Sequence, residues 1–419
     1  MKRNRYTVVL IFITFFVISF LTNILGPIIP DIINSFSLNL TLAAMLPFSF
    51  FIAYGVMSIP AGMLVERFKE KTMMIASFVV AFLGAFSFSL APRYGVALSS
   101  LFSIGLGMAM LQVAINPLLR VSGGEEHFAF NSVLAQLIFG AASFISPSVY
   151  TYLVAHLKNP GGTYNPLVVI LAGVVPGEYP WVSLYWVFAF VCILMVLLIA
   201  ASRFPRVERK EDERAGAWET HRRLLKNKTV ILFFFGIFAY VGTEQGISNW
   251  LSQFLATYHG CDPQTEGAST VGWFWGMMTI GCLLGLVLLK IFDSRKVLFG
   301  FAAAAIILLT ASLFGSREIA LLAFPATGFA ASVMWSIIFS LALNSVDSHH
   351  GSFSGILCTA VIGGAVIPLL IGWLGDRFGL RVGMITLYIT LAYILSIGLW
   401  AQPLIVNVTL SKRRKDAES

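Results

Sequence analysis

The sequence predicts an all-α membrane protein whose twelve transmembrane helices form two pseudo-symmetric six-helix bundles. Of its 419 residues, 58% are hydrophobic and only 11% are charged, whereas a soluble globular protein has roughly 25% charged residues. Apolar runs of about 20 residues, long enough to cross a bilayer as helices, recur along the whole chain. A single long charged stretch in the middle separates these runs into two sets of six.

Each predicted span is one of these apolar runs. We expect spans near residues 7–30, 41–65, 72–91, 94–119, 128–155, 181–202, 229–256, 267–290, 296–314, 318–344, 352–374 and 382–403. The first run has a charged start, but no small-residue cleavage site follows it, so we interpret it as a span and not as a signal peptide.

The distribution of basic residues predicts the orientation in the membrane. With both ends on one side, 23 of the 28 Lys and Arg residues fall on that side and five on the other. Cytoplasmic loops carry such an excess, so we expect both termini in the cytoplasm of a bacterial inner (plasma) membrane. The net charge of +8 then reflects topology, and we expect no nucleic-acid partner.

Two similar halves are expected. We predict an N-terminal bundle over 1–202, a cytoplasmic linker over 203–228, and a C-terminal bundle with a cytoplasmic tail over 229–419. A shift of 223 residues places Gly62 on Gly285 and Gly140 on Gly363, which suggests an internal repeat. The first half has an extra outer loop, 158–180, whose apolar core is too short to span.

Several function classes lack their motifs. The four cysteines show no metal-ligand spacing, and no glycine-rich phosphate-binding motif occurs. We therefore expect no metal site, no ATP and no enzymatic activity. A lipid-linked glycosyltransferase would need carboxylates clustered near one membrane face, where we see only scattered ones. A sensor that transports nothing stays open as an alternative.

Glu244 lies about halfway along the seventh apolar run, where an ionised side chain costs roughly 2.5–3.5 kcal/mol. By sequence it is the only carboxylate in mid-membrane, since Asp31 falls at the outer end of span 1 and the others lie in loops or ends. Glu244 is thus a neutral hydrogen-bonding acid, a proton carrier or a cation ligand. The alternative is a structural hydrogen bond between helices.

The neighbours of Glu244 favour a binding site. Tyr240 lies on the same helical stripe as Glu244, and Gln245 and Asn249 lie on an adjacent one. Trp250 and Trp273 lie toward the outer half of their spans. They are candidates for stacking on a sugar or, alternatively, members of the ordinary interfacial aromatic belt.

In the first half, Gln112 and Asn116 share one face of span 4, and Pro117 frees a backbone carbonyl one turn back. Such a polar patch is expected to line a cavity or to form hydrogen bonds between helices. Asn23 in span 1 and Gln136 in span 5 complete the predicted set, and the repeat places Asn23 at nearly the height of Glu244.

Six segments, in four regions of the chain, resemble parts of a known family. The segments "LQVAINPLLRVSGGEE" and "FNSVLAQLIFGAASFISP" resemble the helix 4–5 region of the fucose/proton symporter family of the major facilitator superfamily. The segments "FSLALN" and "HHGSFSGILCTAVIGGAVIP" resemble its helix 10–11 region, "AYVGTEQG" its helix 7, and "SIPAGMLVERF" its helix 2. The resemblance implies a central cavity, alternating access and hexose or deoxyhexose substrates.

The sequence departs from that family where its coupling residues lie. Proton-driven members have an aspartate in helix 1 and a glutamate in helix 4, and the matching residues here are Asn23 and Gln112, which cannot titrate. Cys282 stands where relatives often carry arginine, and Trp335-Ser336 where they often have Pro-Thr. Coupling is therefore not simply inherited.

The function predicted from these observations is secondary active transport of a monosaccharide. We expect a monomer in the bilayer without a bound cofactor, with Glu244 as the coupling residue for sodium or a proton. Facilitated diffusion is the uncoupled alternative. An exporter of amphipathic or drug-like molecules is the alternative for the cargo, and the polar face of span 4 argues against it.

Overall fold

The computed structural model describes residues 5–123, 128–158, 165–204 and 218–404, and within these ranges it confirms the twelve predicted spans. All are helical and strongly apolar. In chain order, spans 1 to 12 are Arg5–Phe36, Leu40–Phe68, Glu70–Leu90, Tyr94–Ile115, Leu134–Lys158, Pro180–Ala201, Lys228–His259, Pro263–Ile291, Ser294–Phe314, Arg317–Leu343, His350–Phe378 and Leu380–Trp400. The helices of spans 4 and 5 extend to Gly123 and back to Phe128.

An even number of spans places both described ends of the chain at one membrane face, which we call the terminal face. There the Tyr6 hydroxyl lies 3.0 Å from Ser202 Oγ, and Leu404 N donates to Asn344 O at 2.7 Å. The opposite face, where spans 1 and 2 join at 37–39, is called the distal face. That the terminal face is cytoplasmic stays a prediction from the Lys and Arg count.

Polar side chains cap the beginnings of several spans. Asn39 accepts the N–H of Leu42 at span 2, and Asn227 accepts that of Thr229 at span 7. A side-chain oxygen at this position satisfies a backbone donor that has no partner within the helix. These caps explain why the helices begin near the predicted boundaries.

Span 1 is broken in mid-membrane into Arg5–Thr22 and Leu25–Phe36. Pro27 lacks an N–H and its ring crowds the carbonyl four residues earlier, that of Asn23. The Ser146 hydroxyl of span 5 donates to the Phe20 carbonyl at 3.2 Å, so an acceptor beside the break is satisfied by a neighbouring helix.

Spans 10 and 11 are also irregular. Span 10 consists of Arg317–Ala331 and Met334–Leu343, and a 3₁₀ turn over Ala360–Ile362 interrupts span 11. Discontinuous helices in transporters usually mark the binding region. The breaks in spans 1, 10 and 11 lie near mid-depth of the bundle, whereas span 12 is interrupted at Thr386, closer to its distal end.

Two short helices lie outside the spans. Pro166–Val174, in the extra loop of the first half, is a nine-residue helix with Val169 and Ile170 exposed. It is too short to cross a bilayer, as expected. In the linker, the helix Trp218–Leu224 packs against the beginning of span 11, with His221 buried near Gly355.

Within the described residues, the most extensive contacts between the two halves involve three pairs of spans. Span 2 packs against span 11, span 5 against span 8, and span 1 against span 7. The 223-residue shift converts the pair of spans 2 and 11 into the pair of spans 8 and 5. These contacts therefore follow the pseudo-symmetry of the two halves. At Gly26 an added Cβ would lie 2.1 Å from Ser248 O, so spans 1 and 7 touch backbone to backbone. We call this the central seam, and it places Asn23 and Glu244 at similar heights.

Candidate functional site

Glu244 is the centre of a hydrogen-bonded group on one helix. The Tyr240 hydroxyl donates to Glu244 Oε2 at 2.5 Å, and the Gln245 side-chain amide donates to Oε1 at 2.9 Å. Asn249 Nδ2 extends the chain by donating to Gln245 Oε1 at 3.4 Å. Both donors to Glu244 are neutral, so these bonds hold the carboxyl group without neutralising its charge.

Glu244 is the least buried member of this cluster. Tyr240, Gln245 and Asn249 are buried, whereas Glu244 is only partly buried. Its neighbours therefore orient the carboxyl group. The lone pairs that they leave unused can still accept a hydrogen bond from a solute or bind an ion.

Two residues without a predicted site role, Trp335 and Cys282, lie near the Tyr240–Glu244 pair. The ring of Trp335 in span 10 lies 6.0 Å from that of Tyr240, and Trp335 stacks on Phe339 at 5.7 Å. The Cys282 thiol in span 8 donates to Ser332 O at 3.3 Å, at the break in span 10, and lies within electrostatic range of Glu244. In the sequence, these two positions were notable only because their residues differ from those of the family that the chain resembles.

Asn23 of the first half is engaged by span 5. Its Nδ2 donates to Ser143 Oγ at 2.8 Å, and Ser143 Oγ also lies 2.6 Å from Ser19 Oγ. Asn23 is buried at the break in span 1. The structure therefore gives this amide a helix-bridging contact close to the central seam.

Of the two amides on the polar face of span 4, only Gln112 has a described side chain. The partly buried Gln112 forms a hydrogen bond with Tyr54 of span 2, and Tyr54 lies within electrostatic range of Cys358 in span 11. The Gln112–Tyr54 bond therefore joins spans 4 and 2 of the first half, which the sequence did not reveal. The side chain of Asn116 lies outside the part of the chain that the structure describes.

Gln136 points into the space between the halves. Its side chain is exposed, yet it shares a helical stripe with Gly140 and Ser143, which face spans 8 and 1. The lipid-facing stripe of the same helix carries Ile145 and Tyr152 instead. An exposed residue on an inward stripe indicates a cleft.

The structure places both candidate tryptophans away from Glu244. Trp250 is fully buried, and its indole N–H donates to Pro368 O at 3.1 Å, which fastens span 7 to span 11. Trp273 is 50% exposed on the same outer stripe as Ile280 and meets Phe144 edge to face. Both tryptophans thus contact neighbouring spans, and neither has a described contact with Glu244.

A carboxylate of the first half also lies within a span, near its distal end, as the sequence predicted. Asp31 lies in the second segment of span 1, about 12 Å beyond Asn23 at 1.5 Å per residue. It accepts hydrogen bonds from the Tyr150 hydroxyl and from Gln264 Nε2, the latter at 2.8 Å. The helix extends six residues beyond the predicted end of the span, so Asp31 lies inside the helix and not just after it.

Twelve spans in two related halves, discontinuous helices and a partly buried glutamate at mid-depth define a membrane transporter. The chain belongs to the Major Facilitator Superfamily, whose family model matches residues 11–361.

Named relatives cover almost the whole chain. It is 32% identical over 403 residues to the glucose/galactose transporter of Brucella abortus biovar 1 (strain 9-941), covering 95% of this chain and 94% of that one. It is 23% identical to the L-fucose-proton symporter of Escherichia coli (strain K12), covering 87% and 86%.

Solved structures share the fold. The E. coli fucose:proton symporter matches with a TM-score of 0.69 at 22% identity, covering 96% of this chain and 100% of that one. A bacterial homologue of the human lysosomal transporter Spinster, in an inward-facing conformation, matches with a TM-score of 0.76 at 16% identity, covering 96% and 97%.

Proposed function

We propose that this protein is a secondary transporter that moves a hexose or deoxyhexose across the membrane together with a cation. The observation that carries the proposal is Glu244, which is only partly buried at mid-depth and whose carboxyl group accepts hydrogen bonds from two neutral donors. A carboxyl group in this setting suits either a sugar hydroxyl or a coupling ion.

The surrounding side chains suit a sugar. Trp335 supplies an aromatic ring beside Tyr240, the donor to Glu244, and the first half offers the partly buried amide of Gln112 and the exposed amide of Gln136. Aromatic rings stack on the apolar faces of sugars, while amides and carboxylates bind the hydroxyls. We assign Tyr240, Gln245 and Asn249 to positioning Glu244.

Glu244 is our candidate for coupling. Asn23 and Gln112 are amides and cannot exchange a proton. A proton or sodium ion that binds at Glu244 would neutralise its charge and thereby favour the conformational change of the loaded carrier. Symport is the mode we favour, and facilitated diffusion is its alternative.

The bundles of residues 1–202 and 229–419 would rock about the central site, with 203–228 linking them at the cytoplasmic terminal face. The central seam brings spans 1 and 7 into backbone contact on the distal side of Glu244, while Gln136 is exposed on a stripe of span 5 that faces the other half. The two relatives, a glucose/galactose transporter and an L-fucose-proton symporter, support a monosaccharide cargo.

The test is uptake of a panel of labelled hexoses and deoxyhexoses into vesicles containing the purified protein, with sodium and proton gradients imposed separately. We expect concentrative uptake of at least one sugar under one of the two gradients. Uptake that no sugar competes for, but that lipophilic cations inhibit, would contradict the sugar assignment and favour the exporter.

A further inference from the structure

Asp376, at the distal end of span 11, caps a helix of the other half. Its Oδ1 accepts the N–H of Leu40 and its Oδ2 the N–H of Thr41, both at 2.8 Å, and Oδ2 also accepts the Thr41 hydroxyl. Leu40 and Thr41 are the first residues of the span 2 helix. Their N–H groups have no acceptor within that helix, so the second half completes the helix of the first.

A second cluster joins the halves at Gln264, near the beginning of span 8. Gln264 O accepts the Thr151 hydroxyl at 2.7 Å, and Gln264 Oε1 accepts Lys158 Nζ at 2.6 Å, both from span 5. Gln264 Nε2 donates to Asp31 Oδ1 at 2.8 Å. One side chain of the second half thus contacts spans 1 and 5 of the first.

The two clusters are related by the internal repeat. The 223-residue shift superposes Thr41 on Gln264, and it exchanges the span 2–span 11 pair for the span 8–span 5 pair. Each cluster therefore joins the beginning of the second span of one half to the distal end of the fifth span of the other. A contact that recurs at the pseudo-equivalent place belongs to the architecture and not to one accidental packing.

We propose that these clusters form a distal latch, defined as Asp376 with Leu40 and Thr41 together with Gln264 and its partners. The latch stabilises the conformation that is closed at the distal face, and it breaks whenever that face opens. Asp376 is its stronger part, because a carboxylate that accepts several hydrogen bonds gains more than a neutral acceptor does. A change that weakens only one conformation shifts the population toward the other.

The shift is testable by hydrogen–deuterium exchange of the full-length protein in lipid nanodiscs, with Asp376→Asn as the variant. Loss of charge-assisted bonds should raise exchange at the start of span 2 by about tenfold or more. If the halves rock, peptides of the distal face around 260–268 also exchange faster, while peptides of the terminal face become more protected. That opposite change at the two faces is the signature of a shifted population.

The matched control is Glu178→Gln, which neutralises an exposed carboxylate on the distal face and should leave exchange unchanged. Gln264→Ala should shift exchange in the same direction as Asp376→Asn, by a smaller factor. Faster exchange limited to 38–44 without added protection at the terminal face would overturn the latch and leave a local helix cap. The outcome does not depend on the cargo, so it stands apart from the sugar-uptake test.

Discussion

At the scale of the residue, helical spacing builds the Glu244 cluster. Tyr240 and Asn249 reach Glu244 and Gln245 because each pair lies four residues apart on one continuous helix. The sequence alone could therefore predict these partners. The contacts of Asn23 with Ser143 and of Gln112 with Tyr54 join different spans, and nothing in local spacing indicates which spans meet.

Tyr240→Phe tests whether the neighbours of Glu244 position it. The change removes the donor to Oε2 but keeps the ring beside Trp335. Losing one hydrogen bond to a charged group costs about 1.5–3 kcal/mol, so the KM for the transported sugar or its coupling ion should rise about tenfold or more. Initial uptake rates at varied sugar and ion concentrations give the measurement.

The matched control for that variant is Tyr393→Phe, which removes a hydroxyl bonded to Leu232 O, away from Glu244 in the same half. It should leave both KM values near those of the wild type. Equal kinetics for Tyr240→Phe and the wild type would show that the Tyr240 bond is dispensable.

At the scale of the element, hydropathy predicted the number and the positions of the spans well. It did not predict where their helices are interrupted. Apolar runs set the number of helices because each must cross about 30 Å of hydrocarbon. Pro27 accounts for the break in span 1, but no proline lies at Ser332–Val333 in span 10, where we have no physical account of the break. In span 1 the helix continues beyond the end of the apolar run. Asp31 lies in this continuation.

The central seam requires glycine at position 26. Its Cβ position lies 2.1 Å from the Ser248 carbonyl oxygen, a backbone atom that cannot rotate away. Gly26→Ala should therefore push spans 1 and 7 apart and cost about 1–3 kcal/mol, as overpacking does. We expect a lower apparent melting temperature of the purified protein.

Gly95→Ala is the control for the seam variant, because nothing lies within 4 Å of its Cβ position at the beginning of span 4. That change should leave the melting temperature equal or raise it, since alanine favours the helix over glycine. If Gly26→Ala melts at the same temperature as the wild type, the close approach of spans 1 and 7 does not contribute to stability.

At the scale of the whole molecule, the internal repeat predicted more than the number of helices. It anticipated the matching heights of Asn23 and Glu244, and it relates the two contacts between the halves, span 2 with span 11 and span 5 with span 8. It could not predict which face is closed, since both conformations use the same spans. That information comes from contacts between the halves, such as Asp376 with Leu40.

In the whole carrier, Glu244 is the residue proposed to couple the movement of the sugar to that of a cation. A pair of assays on Glu244→Gln in the same vesicles separates movement of the sugar from coupling. Exchange of labelled for unlabelled sugar requires only alternating access and binding, whereas accumulation against a sugar gradient also requires the cation. Glutamine keeps the shape and a hydrogen-bonding oxygen but removes the negative charge and the titratable proton.

The most direct measurement is therefore cation-driven accumulation of the sugar by Glu244→Gln, compared with its sugar exchange. We predict that the variant retains exchange, at a reduced rate, and loses accumulation under either gradient. Accumulation equal to that of the wild type would contradict the account, because the coupling ion would then bind elsewhere.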